Sequence, residues 1–286
     1  MNITTSEQDN FDARTLRVVP RRRPGRWLST VLVLALLGLV IRAFALGQID
    51  WAVVGQFMTA PVILAGLVNT LVMTLCAMVL GLVLGVLAAV MTMSPNPVLV
   101  GVARFYVWFF RGTPLLLQLL LWFNLALIFP RLGIPGVAEW RTVDVITPFV
   151  ATWLGLGMNQ GAYTSEVVRS GILSVDRGQT EAAQAVGMTR LQAMFRIVLP
   201  QALRVIVPPV GNEVISMVKL TSVASVIQFS EILRNAQTIY YANARVIELL
   251  IVAAAWYLAT VTVLSLGQAL LERRLARGVL TAGRSG

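Results

Sequence analysis

Residues 62–93 form one run without a single charged side chain, and no other feature narrows the folds open to this chain so far. About 20 apolar residues in a helix suffice to cross the hydrocarbon layer of a bilayer, so a helix from Val62 to Met93 spans it and must tilt or project. Further apolar stretches lie at about 28–46, 98–129, 146–161, 201–227 and 247–271. With 57% of 286 residues hydrophobic and only 13% charged, there is too little polar surface for a soluble domain. The expectation is an all-α integral membrane protein of about six transmembrane helices. Within the long run, Ala77, Gly81, Gly85 and Ala89 recur every fourth residue, a small-residue stripe on which another helix packs closely.

The basic excess behind the net charge of +10 gathers at the two ends. Arg14, Arg17, Arg21, Arg22, Arg23 and Arg26 stand against Glu7, Asp9 and Asp12, and Arg273, Arg274 and Arg277 follow the last apolar stretch. Basic flanks are retained in the cytoplasm, so both termini are expected there and the number of spans is even. The predicted organisation is a basic cytoplasmic extension (1–27), a first transmembrane helix (28–46), a transmembrane domain (62–272) and a basic cytoplasmic tail (273–286). Residues 28–46 admit two readings. One is a span in which Arg42 snorkels to the outer interface; the other is a secretory signal, with an apolar core from Val31 to Ile41 and the cleavage-like Ala43-Phe44-Ala45. The mass of the mature N-terminus separates them, because cleavage makes Leu46 the first residue.

Several chemistries are set aside by composition. The basic residues do not interleave with aromatics on a polar domain, so nucleic acid is not an expected partner. There is no histidine, and the single Cys76 lies in an apolar run, so neither a metal site nor a thiol relay is expected. No catalytic residue, no phosphate-binding loop and no cofactor of the chain's own is predicted. The energy for any transport must come from a partner or an ion gradient.

Between two apolar stretches lies a polar, helix-prone island, 176–200. Asp176 followed by Gln179 has the form of a capping box, the Ala-rich run from Glu181 to Val186 favours helix, and Gly187 ends it. Thr189 and Gln192 repeat the device. Leu191, Met194, Phe195 and Val198 then form one apolar stripe, and Pro200 is predicted to end the second helix. Two short helices at an angle present Glu181, Ala182 and Ala183 either to a soluble partner or, as an amphipathic hairpin, to the lipid surface. The pattern Glu181-Ala182-Ala183, three residues, Gly187, nine residues, Ile197, one residue, Leu199-Pro200 resembles the EAA loop of permease subunits of ATP-binding cassette (ABC) importers. That resemblance implies a coupling helix docked in a groove of a cytoplasmic ATPase, with Glu181 making a polar contact beside Ala182 and Ala183 and with Gly187 as the turn.

Polar residues inside the apolar stretches mark a second place. Arg111-Gly112-Thr113-Pro114 interrupts 98–129; an arginine beside glycine and proline faces protein or water at a broken helix, or marks the end of a span. In 201–227, Pro208, Pro209 and Gly211 are expected to kink or break the helix, with Asn212, Glu213 and Lys219 at membrane depth. A charge at the centre of a lipid-exposed helix costs about 2.5–3.5 kcal/mol on insertion scales, which directs these groups into the bundle or a wet cavity. Arg111, Asn212, Glu213, Lys219, Thr221 and Ser222 are the candidate substrate pathway, a set of donors and an acceptor suited to a zwitterion; the alternative is a buried structural network. Residues 131–144 and 228–246 read as outer loops.

These segments carry a resemblance of their own. Arg111 to Leu119, RGTPLLLQL, resembles the stretch typical of polar amino acid ABC permeases. Tyr163, Glu166 and Arg169 match the same subfamily, and Lys219-Leu220-Thr221-Ser222-Val223 is similar to its Lys-x-Thr-Ser-Leu, with Val223 replacing leucine. The resemblance implies a type I importer permease in a bacterial cytoplasmic membrane, forming half of the pathway for a polar amino acid. It also implies an ATPase dimer that holds ATP and Mg, a second permease chain, identical or paralogous, and an extracytoplasmic substrate-binding protein. Within the family an opine, an osmolyte or a sulfur-containing amino acid is an alternative cargo. A secondary transporter or channel would explain the spans but leave the 176–200 pattern without a purpose.

Overall fold

The uncharged run forms a single helix, α3 (Pro61–Thr92), with Pro61 in its first turn, where a missing N–H costs nothing. The computed structural model to which it belongs describes residues 24–134 and 138–276. The extension up to residue 23 and the tail from Arg277 lie outside the described residues. α1 (Pro24–Leu46) forms, with the residues up to Ile49, a unit of its own. Its large apolar side chains from Val31 to Leu46 are exposed, as expected of a helix whose solvent is lipid.

The second unit starts at Asp50 and contains α2 (Trp51–Met58), α3, α4 (Pro97–Gly112) and α5 (Leu115–Phe123). An antiparallel hairpin follows, β1 (Arg131–Ile134) with β2 (Ala138–Arg141), then α6 (Thr142–Val145) and α7 (Pro148–Leu173). α8 (Arg177–Ala185), α9 (Arg190–Ala193), α10 (Leu199–Leu220), α11 (Ile232–Asn243) and α12 (Val246–Ala276) complete it. Among the described residues, four helical stretches are long and apolar enough to cross a membrane; α4 and α5, bent by 103°, make a fifth if taken as one span.

α7 misses that group by composition, not by length. Its 26 residues extend about 39 Å. Thr152, Asn159, Gln160, Thr164 and Ser165 make it polar, and all five are buried, so they face protein and not lipid. The fourth span was expected to stop at Gly161. Instead Gly161 packs in mid-helix against Leu84 and Tyr106, and the helix continues to Leu173.

α3 and α7 run side by side in the same direction, and the small-residue stripe is their contact. A Cβ at Gly81 would stand 2.7 Å from Gln160 Cγ, and one at Gly85 2.7 Å from Thr164 Cβ. Ala77 and Ala89 are fully buried on the same stripe. Met73, Leu119, Leu156 and Met217 close the core where α3, α5, α7 and α10 meet. Gly85→Leu is therefore expected to force α3 from α7 and lower stability by about 1–3 kcal/mol, the usual cost of overpacking. Thermal unfolding in detergent checks this; an unchanged melting temperature would mean that the two helices do not touch there.

The helix end expected at Pro200 and the break allowed at Pro208–Pro209 both need correcting. Pro200 does not end a helix: Met194–Val198 is a π-helical turn, with the Leu199 N–H reaching the Met194 carbonyl, and it leads from α9 directly into α10. A proline ring meets the carbonyl four residues back in an α-helix, and one extra residue in the preceding turn relieves that clash. Nor do Pro208 and Pro209 break α10. Gln268 of α12 donates to the Pro208 carbonyl at 3.0 Å and occupies the space that a side chain at Gly211 would need.

The outer loops also differ from expectation. Residues 131–144 hold the β-hairpin, braced by an Arg131–Glu139 ion pair at 3.0 Å, so the chain is not wholly helical. Residues 228–246 hold α11, which packs against α3, its Asn235 donating to the Val62 carbonyl at 2.7 Å. Glu231 is fully buried, its carboxylate capping α11 through the amides of Leu233 (2.8 Å) and Arg234 (2.6 Å) and accepting the Tyr257 hydroxyl of α12. Three donors satisfy a charge that the sequence pattern alone assigns to solvent.

Candidate functional site

A cavity of about 520 Å³ lies between α4, α7 and α10, with Arg111 on one wall, Glu213 on another, and Asn159, Gln160 and Tyr163 of α7 between them. α7 holds both charges. Tyr163 lies under Arg111, its ring centroid 5.2 Å from the guanidinium carbon. Thr164, the next residue, donates to Glu213 Oε2 at 2.9 Å and accepts from Gln160 Nε2 at 3.1 Å. Among the described residues no ion pair joins Arg111 to Glu213. The site therefore offers a guanidinium donor and a carboxylate acceptor on separate walls, the two partners that a bound zwitterion needs.

Only these two of the six predicted pathway residues line the cavity. Asn212 and Lys219 are exposed on α10, on one helical face with the cavity-lining Ser216 between them. Thr221 is buried and Ser222 half-buried, and their hydroxyls donate to the carbonyls of Val218 and Lys219, each at 2.7 Å. They serve the end of α10, where it tightens into the 3-10 turn Thr221–Ile227. Sequence reasoning missed Asn159, Gln160 and Ser216, and had Tyr163 only by resemblance. The signal was a polar strip, Asn159, Gln160, Tyr163 and Thr164, within one span. Beyond Tyr163, α7 also carries the predicted Glu166–Arg169 pair at 2.9 Å, half-exposed.

The second feature is the turn between α8 and α9. Asp176 caps α8 by accepting the Gly178 N–H at 2.7 Å, without the reciprocal Gln179 arm of a capping box. Gly187, at φ +86°, closes α8 in a Schellman turn: the Met188 and Gly187 N–H groups donate to the Ala183 and Gln184 carbonyls, both at 3.0 Å. Thr189 and Gln192 form a complete capping box at 3.2 and 2.9 Å. Ala183, Ala193 and Val198 are buried beneath, while Glu181, Ala182, Val186, Leu191 and Phe195 are exposed. The predicted apolar stripe is thus divided: Val198 faces in, Leu191 and Phe195 face out. The outcome is a carboxylate beside an apolar patch on a rigid, doubly capped knob.

The family model for binding-protein-dependent transport system inner membrane components matches residues 81–277. The chain is 39% identical over 268 residues to the arginine transport system permease protein of Corynebacterium glutamicum, a match covering 93% of this chain and 84% of the relative. It is 39% identical over 239 residues to the L-cystine transport system permease protein of Bacillus subtilis, covering 83% of this chain and 96% of that one. Among solved structures, the crystal structure of an amino acid ABC transporter with histidines matches with a TM-score of 0.69 at 36% identity, over 80% of this chain and 100% of the other. These matches favour the permease reading over a secondary transporter or channel. The chain belongs to the binding-protein-dependent transport system inner membrane components, the membrane-embedded, non-catalytic permease subunits of ABC importers, and within them it groups with the amino acid permeases.

Proposed function

We propose that this permease passes a polar amino acid through the cavity between Arg111 and Glu213, driven by a cytoplasmic ABC ATPase docked on the knob that carries Glu181. The observation that carries the reading is the knob itself: Glu181, Val186, Leu191 and Phe195 are exposed on a turn stiffened at both helix ends. Apolar side chains held out beside a carboxylate fit a protein groove, in which ATP and Mg belong to the partner. ATP-driven closure of an ATPase dimer would move the knob, and the π-helical turn would pass that movement into α10. The knob and both chain ends are assigned to the cytoplasm. Tyr257 of α12 meets Glu231 beyond the end of α10 and Gln268 meets Pro208 at mid-helix, so α12 runs back along α10 with its basic end toward the knob, as basic flanks require.

A second permease chain, identical or paralogous, packs on the exposed face of α10 with Asn212, Ser216 and Lys219 and closes the cavity. A substrate-binding protein delivers cargo from the opposite side. The curated relatives named above are permeases of arginine and L-cystine transport systems; both cargoes carry an α-ammonium and an α-carboxylate, and a guanidinium and a carboxylate on separate walls suit that backbone in either.

Gentle-detergent purification from the native membrane, followed by mass spectrometry, tests the assembly. An ABC ATPase is expected, and a second permease if the pair is heteromeric. A cysteine at Ala182, in a chain whose Cys76 is replaced by serine, should crosslink to the ATPase. With neither co-purification nor a crosslink, the coupling assignment fails. Uptake of radiolabelled arginine, cystine and glutamate then ranks the cargo.

A further inference from the structure

A proline inside a span leaves one carbonyl without its helical donor. Here it is that of Phe110, which in a continuous helix would take the N–H of residue 114, and Pro114 has none. Water does not replace the donor in a bilayer, so the group must be satisfied by protein. Asn159 Nδ2 donates to it at 2.8 Å and Gln118 Nε2 at 3.0 Å. Gln118 Nε2 also reaches the Thr113 carbonyl (3.1 Å) and hydroxyl (2.8 Å), while its Oε1 takes Asn159 Nδ2 at 3.2 Å. Both amides are buried.

The same edge of α7 grips the neighbouring residue. One turn beyond Asn159, Tyr163 lies under the Arg111 guanidinium; one turn before it, Leu119 of α5 fills the place of a side chain at Gly155. α7 thereby holds the Phe110 backbone, the Arg111 side chain and the helix beyond the bend with residues 155, 159 and 163. Satisfying a carbonyl would need one donor. Two interlocked amides at the bend also fix its angle, and with it the place where the guanidinium enters the cavity.

We infer that Asn159 and Gln118 are positioning residues, a clamp on the broken span that sets where Arg111 meets the substrate. This rests on Arg111 lining the pathway, as proposed above. Asn159→Asp keeps the side chain's shape and removes its donors. In cells carrying the complete transporter, it is expected to lower uptake of whichever radiolabelled probe the wild type accepts, among arginine, cystine and glutamate, by about tenfold, the worth of one buried hydrogen bond. Added to Arg111→Gln it is expected to lower uptake no further, because the two act as a unit. An equal loss in both backgrounds would overturn the inference in favour of a purely structural role.

A second readout does not depend on transport. A Cβ at Gly112 meets nothing within 4 Å, and Gly112 lines the cavity, so Gly112→Cys in the Cys76→Ser chain is a tolerated probe. Its labelling by a membrane-impermeant thiol reagent is expected to shift several-fold on Asn159→Asp; an unchanged rate overturns the clamp. Should Asn159→Asp fail to insert, Gln118→Glu keeps that side chain's shape and removes its donors to the Phe110 and Thr113 carbonyls. It is expected to shift the same labelling rate, and an unchanged rate there would sink the idea. If Arg111→Gln transports normally, the pathway reading fails, while the labelling shift still decides the clamp.

Discussion

Lysine at position 181 is expected to cut uptake at least about a hundredfold while membrane insertion, yield and melting temperature stay as they are. Glu181 is exposed on α8, and the helix is held by Asp176 at one end and Gly187 at the other, so folding does not depend on its carboxylate. Reversing one charge of a desolvated interfacial pair costs about 2–5 kcal/mol, and about 2.7 kcal/mol is already a hundredfold. Glu181→Gln, which loses the charge but keeps an acceptor, should fall between. Gly187→Val reaches the same phenotype by another route: a left-handed φ costs an ordinary residue about 1–2 kcal/mol, and the Schellman turn that aims α8 is lost. The measurement is the amount of ATPase recovered per permease, read beside uptake. If Glu181→Lys leaves both at wild-type levels, the knob is not the coupling contact.

The knob was legible because its chemistry is local. Asp176, Gly187 and the Thr189–Gln192 pair each act within a few residues, and capping needs no knowledge of the rest of the fold. The long spans were legible for the same reason, since lipid reads composition directly. Groups whose partners come from other helices were not. Thr221 and Ser222 looked like substrate donors, but each hydroxyl is taken by a carbonyl three residues back. Glu231 looked solvated because nothing nearby in sequence shows that Tyr257, 26 residues on, reaches it. Pro200 and Pro208 read as breaks because the rule counts a lost N–H. A π-helical turn accommodates the first, and α10 runs on through the second with Gln268 of α12 packed beside it on the Pro208 carbonyl. Asn159 was invisible as a functional residue because its partner is a carbonyl orphaned by a proline on another helix.

Glutamine in place of Glu213 is expected to move stability and uptake in opposite directions. Its amide oxygen can still accept from Thr164, so the wall of the cavity keeps its shape. The charge itself is a burden: Glu213 is half-buried about 21 Å along α10, and insertion scales put a charge at the centre of a lipid-exposed helix at about 2.5–3.5 kcal/mol, with a wet cavity recovering part of that. Removing it should leave the melting temperature in detergent unchanged or raise it. Uptake should fall about tenfold to a hundredfold, as a hydrogen bond to a charged group worth about 1.5–3 kcal/mol is lost from the bound ammonium. Arg111→Gln should lower uptake in the same way from the carboxylate side, whereas Lys219→Met, on the exposed face of α10, should act only when the second permease chain is present. A carboxylate that weakens the fold and is needed for flux is held there for the cargo. The reverse pattern, a lower melting temperature with normal uptake, would make Glu213 a strut between α7 and α10 and move the substrate path out of this cavity.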